Sequence, residues 1–162
     1  FATTDPAAWP PLTRLVLVYF SIQCACVGST SGGLKFDRVL IGLKSVKKQI
    51  RLFLHPNAVI VSKLGKFRIS QEFEFFVFAF TVLYALVIAI STLIISALGI
   101  DLETAASAVI ATLGNVGPGF GDVSSLGNYA SLKSAAKMIL TLDMLLGRLE
   151  MFSVLALFYI KK

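Results

Sequence analysis

From Phe75 to Ile100 the chain is apolar and carries no charged residue. At about 1.5 Å per residue a helix of that length outreaches a ~30 Å hydrocarbon core and is expected to cross it with some tilt. Ser70 is the expected cap, and Glu72 and Glu74 suit the positive end of the helix that follows. An earlier apolar segment, Leu12 to Val27, is interrupted only by Thr13, Arg14, Ser21 and Gln23, with Arg14 placed to snorkel to an interface. Upstream of it, Asp5 followed by Pro6 reads as a cap and first helical position. A last apolar segment starts at Tyr129 or Ala130 and runs through Phe158 to Lys161 and Lys162. Between the first two segments the period changes. Leu34, Val39, Leu40, Leu43, Val46, Ile50 and Leu54 recur at helical spacing, with Lys44, Lys47, Lys48 and Arg51 beside them, so Lys35 to Leu54 is predicted to be an amphipathic helix. His55-Pro56-Asn57 ends it, since proline disfavours helix in the residue before it. Ala58 to Ile69 alternates weakly around Lys63-Leu64-Gly65-Lys66, which predicts a short hairpin.

Two interruptions of the apolar pattern carry the chemistry. Asp101 is the expected cap of a helix over Leu102 to Leu113, too short to span a bilayer. The stretch after it, Gly114 to Gly121, holds four glycines and a proline in eight residues and cannot continue the helix. Irregular backbone at membrane depth is tolerated only where protein buries it or where it lines a watery cavity. A half-helix entering from outside turns the negative end of its dipole toward this turn, which suits a cation. The carbonyls of Asn115, Val116 and Gly117, followed by Pro118, are then the expected ligands of a dehydrated ion, the alternative being a re-entrant turn without one. The glycine spacing does not match a dinucleotide fingerprint, and here the helix precedes the glycines. The other interruption is Gly28-Ser29-Thr30-Ser31-Gly32-Gly33, reached only two-thirds to three-quarters of the way through a bilayer by a span starting near Pro10, at about 1.5 Å per residue. It is open to two readings: a surface loop, or an intramembrane break on the cytoplasmic side of a permeation path.

Composition agrees with a polytopic membrane protein: 56% of the 162 residues are hydrophobic, and the mean hydropathy is +0.82. The net charge of +6 does not point to nucleic acid, because nine of the 15 lysines and arginines fall between Lys35 and Arg68, where Asp37 is the sole acid. A basic stretch between spans is expected on the cytoplasmic side. The orientations then close, with the first span running inward, the second outward, the half-helix re-entering from outside and the last span running inward. Phe1 to Trp9 has neither a basic start nor an apolar run, and no Met precedes it, so the chain is expected to be a piece of a longer polypeptide. Cys24 and Cys26 point about 200° apart on a helix and read as packing residues. In the last span Asp143 and Glu150 share a face, while Arg148 lies roughly 140° from Asp143 and needs acceptors on another element or the interface. No nucleophile–base pair is visible, so no enzyme is expected. A membrane-embedded enzyme using Asp143 or Glu150, or a non-conducting scaffold, is the alternative.

Four motifs in order, Gly-Ser-Thr-Ser-Gly-Gly-Leu-Lys at 28–35, His-Pro-Asn-Ala-Val at 55–59, Asn-Val-Gly-Pro-Gly-Phe-Gly at 115–121 and Leu-Leu-Gly-Arg-Leu-Glu at 145–150, resemble the C-terminal part of the Trk/Ktr/HKT potassium-transporter superfamily, most closely the bacterial Trk membrane subunit. The resemblance implies an all-α membrane protein of helix, pore helix, filter loop and helix repeats. Residues 1–34 would be the tail of the third filter loop (Phe1, Ala2, Thr3) and the third inner helix with its gating loop. Residues 35–70 would be a cytoplasmic basic helix and connector, and 71–162 the fourth repeat, with outer helix 71–99, pore helix 101–114, filter 115–121 and inner helix 130–160. It further implies K+ as the transported ion and no organic cofactor. Gly117 would be the filter glycine, and Arg148 the basic residue that contacts the Gly28 to Gly33 gate. A homodimer in the cell (inner) membrane, docked on a cytosolic nucleotide-binding regulatory subunit, is also implied. Ser31 departs from the family's glycine, and Asp143 from its apolar residue.

Overall fold

The computed structural model describes residues 4–23, 26, 28–29, 32–57, 61, 63–64, 67–149 and 151. Phe1, Ala2, Thr3, Cys24, Thr30, Ser31 and Glu150, and residues 152–162 of the last span, lie outside the described residues.

Asp5-Pro6 opens only a single 3-10 turn, Pro6–Ala8, and not a helix. The first helix, α1 (Pro11–Ile22), begins five residues later with Pro11 in its first turn, where the absent N–H costs nothing. It ends at Ile22, short of the expected Val27, and its 12 residues rise only about 18 Å. Leu34 N–H donates to the Ile22 carbonyl at 3.1 Å, which brings the chain ahead of α2 back to the end of α1.

Helix α2 (Phe36–Leu54) follows and stops at His55-Pro56, as the sequence predicts. It lies against the start of α3 (Gln71–Ala97). The Arg38 guanidinium sits 3.9 Å from the centroid of the Phe80 ring, and Lys48 forms a buried ion pair with Glu74 at 3.1 Å, with Ser45 Oγ donating to the same carboxylate at 3.2 Å. The predicted hairpin is present as β1 (Lys63–Leu64) and β2 (Phe67–Arg68), antiparallel with Lys63 opposite Arg68. Lys63 and Leu64 therefore belong to a strand and not to the turn. Lys44 Nζ donates to the Lys63 carbonyl at 2.7 Å and ties the hairpin to α2.

Ser70 caps α3 through its side chain, accepting from Phe73 N–H at 3.3 Å. With 27 residues α3 is, among the described residues, the helix long and apolar enough to cross a membrane. Its buried stripe, including Val77, Phe80, Tyr84, Ser91 and Ile95, faces the remaining helices, while Phe75, Phe78, Leu86 and Leu93 are exposed on the other side. Helix α4 (Leu102–Leu113) is capped by Asp101, which accepts from Glu103 N–H at 3.1 Å. It is buried almost all round, from Thr104 to Leu113 apart from Ala106, between α1, α3 and α5. Ala105, Ala108 and Ala136 permit that close approach, in a core shared with Ile95, Val109, Val123 and Leu140.

Helix α5 (Ser134–Arg148) starts later than Tyr129 or Ala130. Asn128 Oδ1 accepts from Ala130 N–H at 2.9 Å and closes a separate 3-10 turn, Tyr129–Ser131, after which Leu132 is extended. That local cap holds the chain out of the helix until Ser134. The described part of α5 ends at Arg148, and Met151 is buried in a second cluster with Phe80, Tyr84 and Leu113.

Candidate functional site

The turn after α4 is built by the way the helix stops. Asn115 takes the left-handed conformation (φ 55°), Asn115 N–H returns to the Thr112 carbonyl at 3.0 Å and Val116 N–H to the Ala111 carbonyl at 2.9 Å. This is a Schellman ending, with asparagine in the position that glycine commonly fills. Gly117 N–H also points to the Ala111 carbonyl, at 3.3 Å. In a trans peptide the N–H and the preceding C=O point in opposite directions. Because the amides of Val116 and Gly117 face back into α4, the carbonyls of Asn115 and Val116 face away from it. The turn thus presents a carbonyl edge at the negative end of a buried helix, an arrangement that attracts a cation.

Gly117 has φ +110°, which L side chains rarely adopt, and a Cβ there would meet nothing within 4 Å. Glycine is needed at this position for conformation and not for space. Its carbonyl accepts from the Tyr129 hydroxyl at 2.8 Å. Burial pushes the Tyr129 phenol up from its ordinary value. Further along, Ser107 Oγ accepts from Phe120 N–H at 2.9 Å and itself donates to the Thr104 carbonyl at 3.1 Å. A crevice of about 180 Å³ separates the turn from α1 and is lined by Leu17, Val18, Ser21, Ile110, Val116 and Pro118. Arg14 pairs with Glu103 at 2.5 Å and fastens α1 to the start of α4.

The two glycine-rich interruptions, far apart in sequence, meet in space. Gly32 and Gly33 are buried, and a Cβ on Gly32 would sit 2.6 Å from Asn115 Nδ2, 2.9 Å from the Leu113 carbonyl oxygen and 3.0 Å from that of Gly147. A Cβ on Gly147 would overlap the Leu113 carbonyl oxygen and lie 3.0 Å from Asn115 Nδ2. Asn115 Nδ2 donates to the Met144 carbonyl at 3.3 Å. Gly32, Asn115 and Gly147 therefore form one tight junction between the loop after α1, the turn after α4, and α5. Gly28 (φ +90°) and Ser29 lie exposed at the other end of the loop. Arg148 follows Gly147 at the end of α5 and is exposed.

Asp143 is placed elsewhere. It is 2% exposed, accepts from Ser91 Oγ at 2.9 Å, and its Oδ2 has no hydrogen-bond partner among the described residues. It is sealed between α3 and α5. The sequence reading missed Tyr129, which it absorbed into a helix, and Ser107. A serine in the middle of an otherwise apolar short helix was the available signal for the latter.

Similarity gives this architecture a class. The family model described as a cation transport protein matches residues 1–162. The chain belongs to that family, TrkH. It is 41% identical over 158 residues to the Trk system potassium uptake protein TrkH of Salmonella typhimurium, covering 98% of this chain and 32% of the relative. Against the Trk system potassium uptake protein TrkG of Escherichia coli K12 the identity is 35% over 157 residues, 97% of this chain and 32% of the relative. The crystal structure of the potassium transporter TrkH from Vibrio parahaemolyticus matches with a TM-score of 0.83 and 38% identity, over 92% of this chain and 31% of that one. The chain thus spans about a third of the length of these relatives. Their names are those of transporters and not of enzymes.

Proposed function

We propose that this chain is the C-terminal part of a Trk-type potassium uptake subunit, and that the turn after α4 is one of the loops of its selectivity filter. The carbonyl edge at Asn115 and Val116 carries this reading, supported by the potassium uptake named for the relatives. K+ is the transported ion, stripped of water and held by backbone oxygens of Asn115, Val116 and Gly117, with Pro118 closing the turn. One loop cannot surround an ion, so the other filter segments come from the rest of the subunit, with Phe1, Ala2 and Thr3 as the tail of the third. In this arrangement α1 is the third inner helix, the region 35–70 the cytoplasmic connector, and α3, α4, the filter and α5 the fourth repeat. The Gly28 to Gly33 loop, including Ser29, Thr30, Ser31, Gly32 and Gly33, is the gate below the filter, held closed by Arg148. The subunit works in the cell membrane as a homodimer with a cytosolic nucleotide-binding regulatory partner and needs no organic cofactor.

Two substitutions in the complete subunit test this. Gly117→Ser puts a side chain on a backbone that only glycine adopts without strain, and is expected to lower the K+ over Na+ flux ratio. An unchanged ratio would remove the filter assignment. Arg148→Ala is expected to raise K+ flux by shifting the closed-to-open balance about 1–3 kcal/mol, the scale of hydrogen bonds to a charged group. Wild-type flux and regulation in a well-inserted Arg148→Ala protein would leave Arg148 an interface anchor.

A further inference from the structure

The peptide planes of the filter turn are not anchored alike. The plane between Asn115 and Val116 is fixed by Val116 N–H on the Ala111 carbonyl, and the next one by Gly117 N–H on the same oxygen. The plane between Gly117 and Pro118 has no N–H at all, because proline lacks one. No backbone donor on this peptide can aim its carbonyl, and Gly117 itself resists rotation less than any other residue. The bond the structure gives this plane is from outside the turn: the Tyr129 hydroxyl donates to the Gly117 carbonyl at 2.8 Å.

Tyr129 is in turn held firmly. It opens the 3-10 turn capped by Asn128, its ring packs on the core cluster that includes Ile95, Val109 and Leu132, and Leu132 N–H donates to its carbonyl at 3.3 Å. Lys137 Nζ, reaching back from α5, donates to the neighbouring Ala130 carbonyl at 2.8 Å. The hydroxyl is therefore presented by a ring packed on the core and by a backbone that is itself hydrogen-bonded.

We propose that Tyr129 is a positioning residue for ion selectivity, taking over for the Gly117–Pro118 peptide the anchoring that a backbone N–H supplies to the two before it. The inference rests on the filter assignment above. A carbonyl oxygen has two lone pairs, so Gly117 can accept from Tyr129 and still offer the other to an ion. Removing the hydroxyl leaves the number of ion ligands unchanged and frees the direction of one of them. The consequence is a loss of discrimination between ions of different radius, with no loss of the path.

The test compares K+, Rb+ and Na+ uptake by the complete subunit in the same vesicles, reported as ratios so that the amount of inserted protein cancels. Tyr129→Phe removes only the hydroxyl and is expected to change the K+ over Na+ ratio about two- to tenfold, the span a neutral hydrogen bond carries. Tyr129→Phe with wild-type ratios at normal insertion overturns the proposal. Should Tyr129→Phe fail to insert, 3-fluorotyrosine at position 129 keeps the ring and the donor while strengthening it. An altered ratio then supports the proposal and an unaltered one overturns it. Gly117→Ser measured alongside separates the two readings. Altered ratios there with unaltered ratios in Tyr129→Phe remove only the brace, whereas unaltered ratios in both remove the filter assignment itself.

Discussion

A methyl group added at position 147 has nowhere to go. Glycine in a helix interior costs roughly 0.5–1 kcal/mol relative to alanine, so an α5 that tolerates Gly147 does so for packing. The added Cβ would overlap the Leu113 carbonyl oxygen, a backbone atom at the end of a buried helix that cannot swing aside. Gly147→Ala is therefore expected to destabilise by about 1–3 kcal/mol through overpacking. Gly42, on α2, supplies the control: nothing lies within 4 Å of its Cβ position, so Gly42→Ala is expected to leave stability unchanged or raise it. Thermal unfolding of the detergent-solubilised protein distinguishes them, and equal melting temperatures for the two variants would show that the junction is looser than its geometry. At this scale the sequence was informative about type and silent about partners. Gly117 announced itself by its setting in Asn-Val-Gly-Pro. Nothing in the local pattern says that Gly32 touches Asn115, since a contact between distant segments leaves no period and no spacing to read. Tyr129 was lost for the opposite reason: its neighbours continue an apolar segment, and the cap at Asn128 that breaks the helix is a single polar residue.

Elements were more legible than contacts. The long apolar run with Ser70 before it, and the short helix with Asp101 before it, were readable because caps and hydrophobic length act locally, and both helices and both caps are present. Helix ends were less legible. The late start of α5 at Ser134 follows from one polar cap, Asn128, inside an otherwise apolar stretch, and α1 stops at Ile22, where the Leu34 N–H returns to its last carbonyl. How α2 docks was not legible either, because the basic stretch reads as a solvated face. Yet Lys48 is turned inward onto Glu74, with side-chain exposures of 8% and 7%. Removing one partner of such a pair leaves a buried charge uncompensated, at about 3–5 kcal/mol, whereas replacing both by apolar residues is often neutral. Lys48→Met alone should therefore lower the melting temperature strongly, and Lys48→Met with Glu74→Met should recover most of the loss. A double variant as unstable as the single one would show that the pair contributes through Ser45 and the packing around it and not through charge balance.

For the molecule as a whole, orientation is the property on which the assignments depend. Lys35 to Arg68 carries the density of positive charge expected of a cytoplasmic segment; that placement would put the N-terminus of α4 outside and its negative end at membrane depth. With Cys24 and Cys26 replaced, single cysteines at Lys47, Arg51 or Asn57 are expected to resist a membrane-impermeant thiol reagent in intact cells and to react after permeabilisation. Reaction from outside would invert the fold in the membrane and turn the wrong end of α4 toward the ion. The junction of Gly32, Asn115 and Gly147 has its own consequence at this scale. The loop proposed as the gate and the turn proposed as the filter meet at Gly32 and Asn115 with no room for a Cβ between them, so a displacement of one is expected to press on the other. Two sites joined in that way exchange free energy reciprocally. Whatever an ion resting against the turn does to the loop, the loop in one of its positions must do, by the same factor, to the turn's hold on the ion.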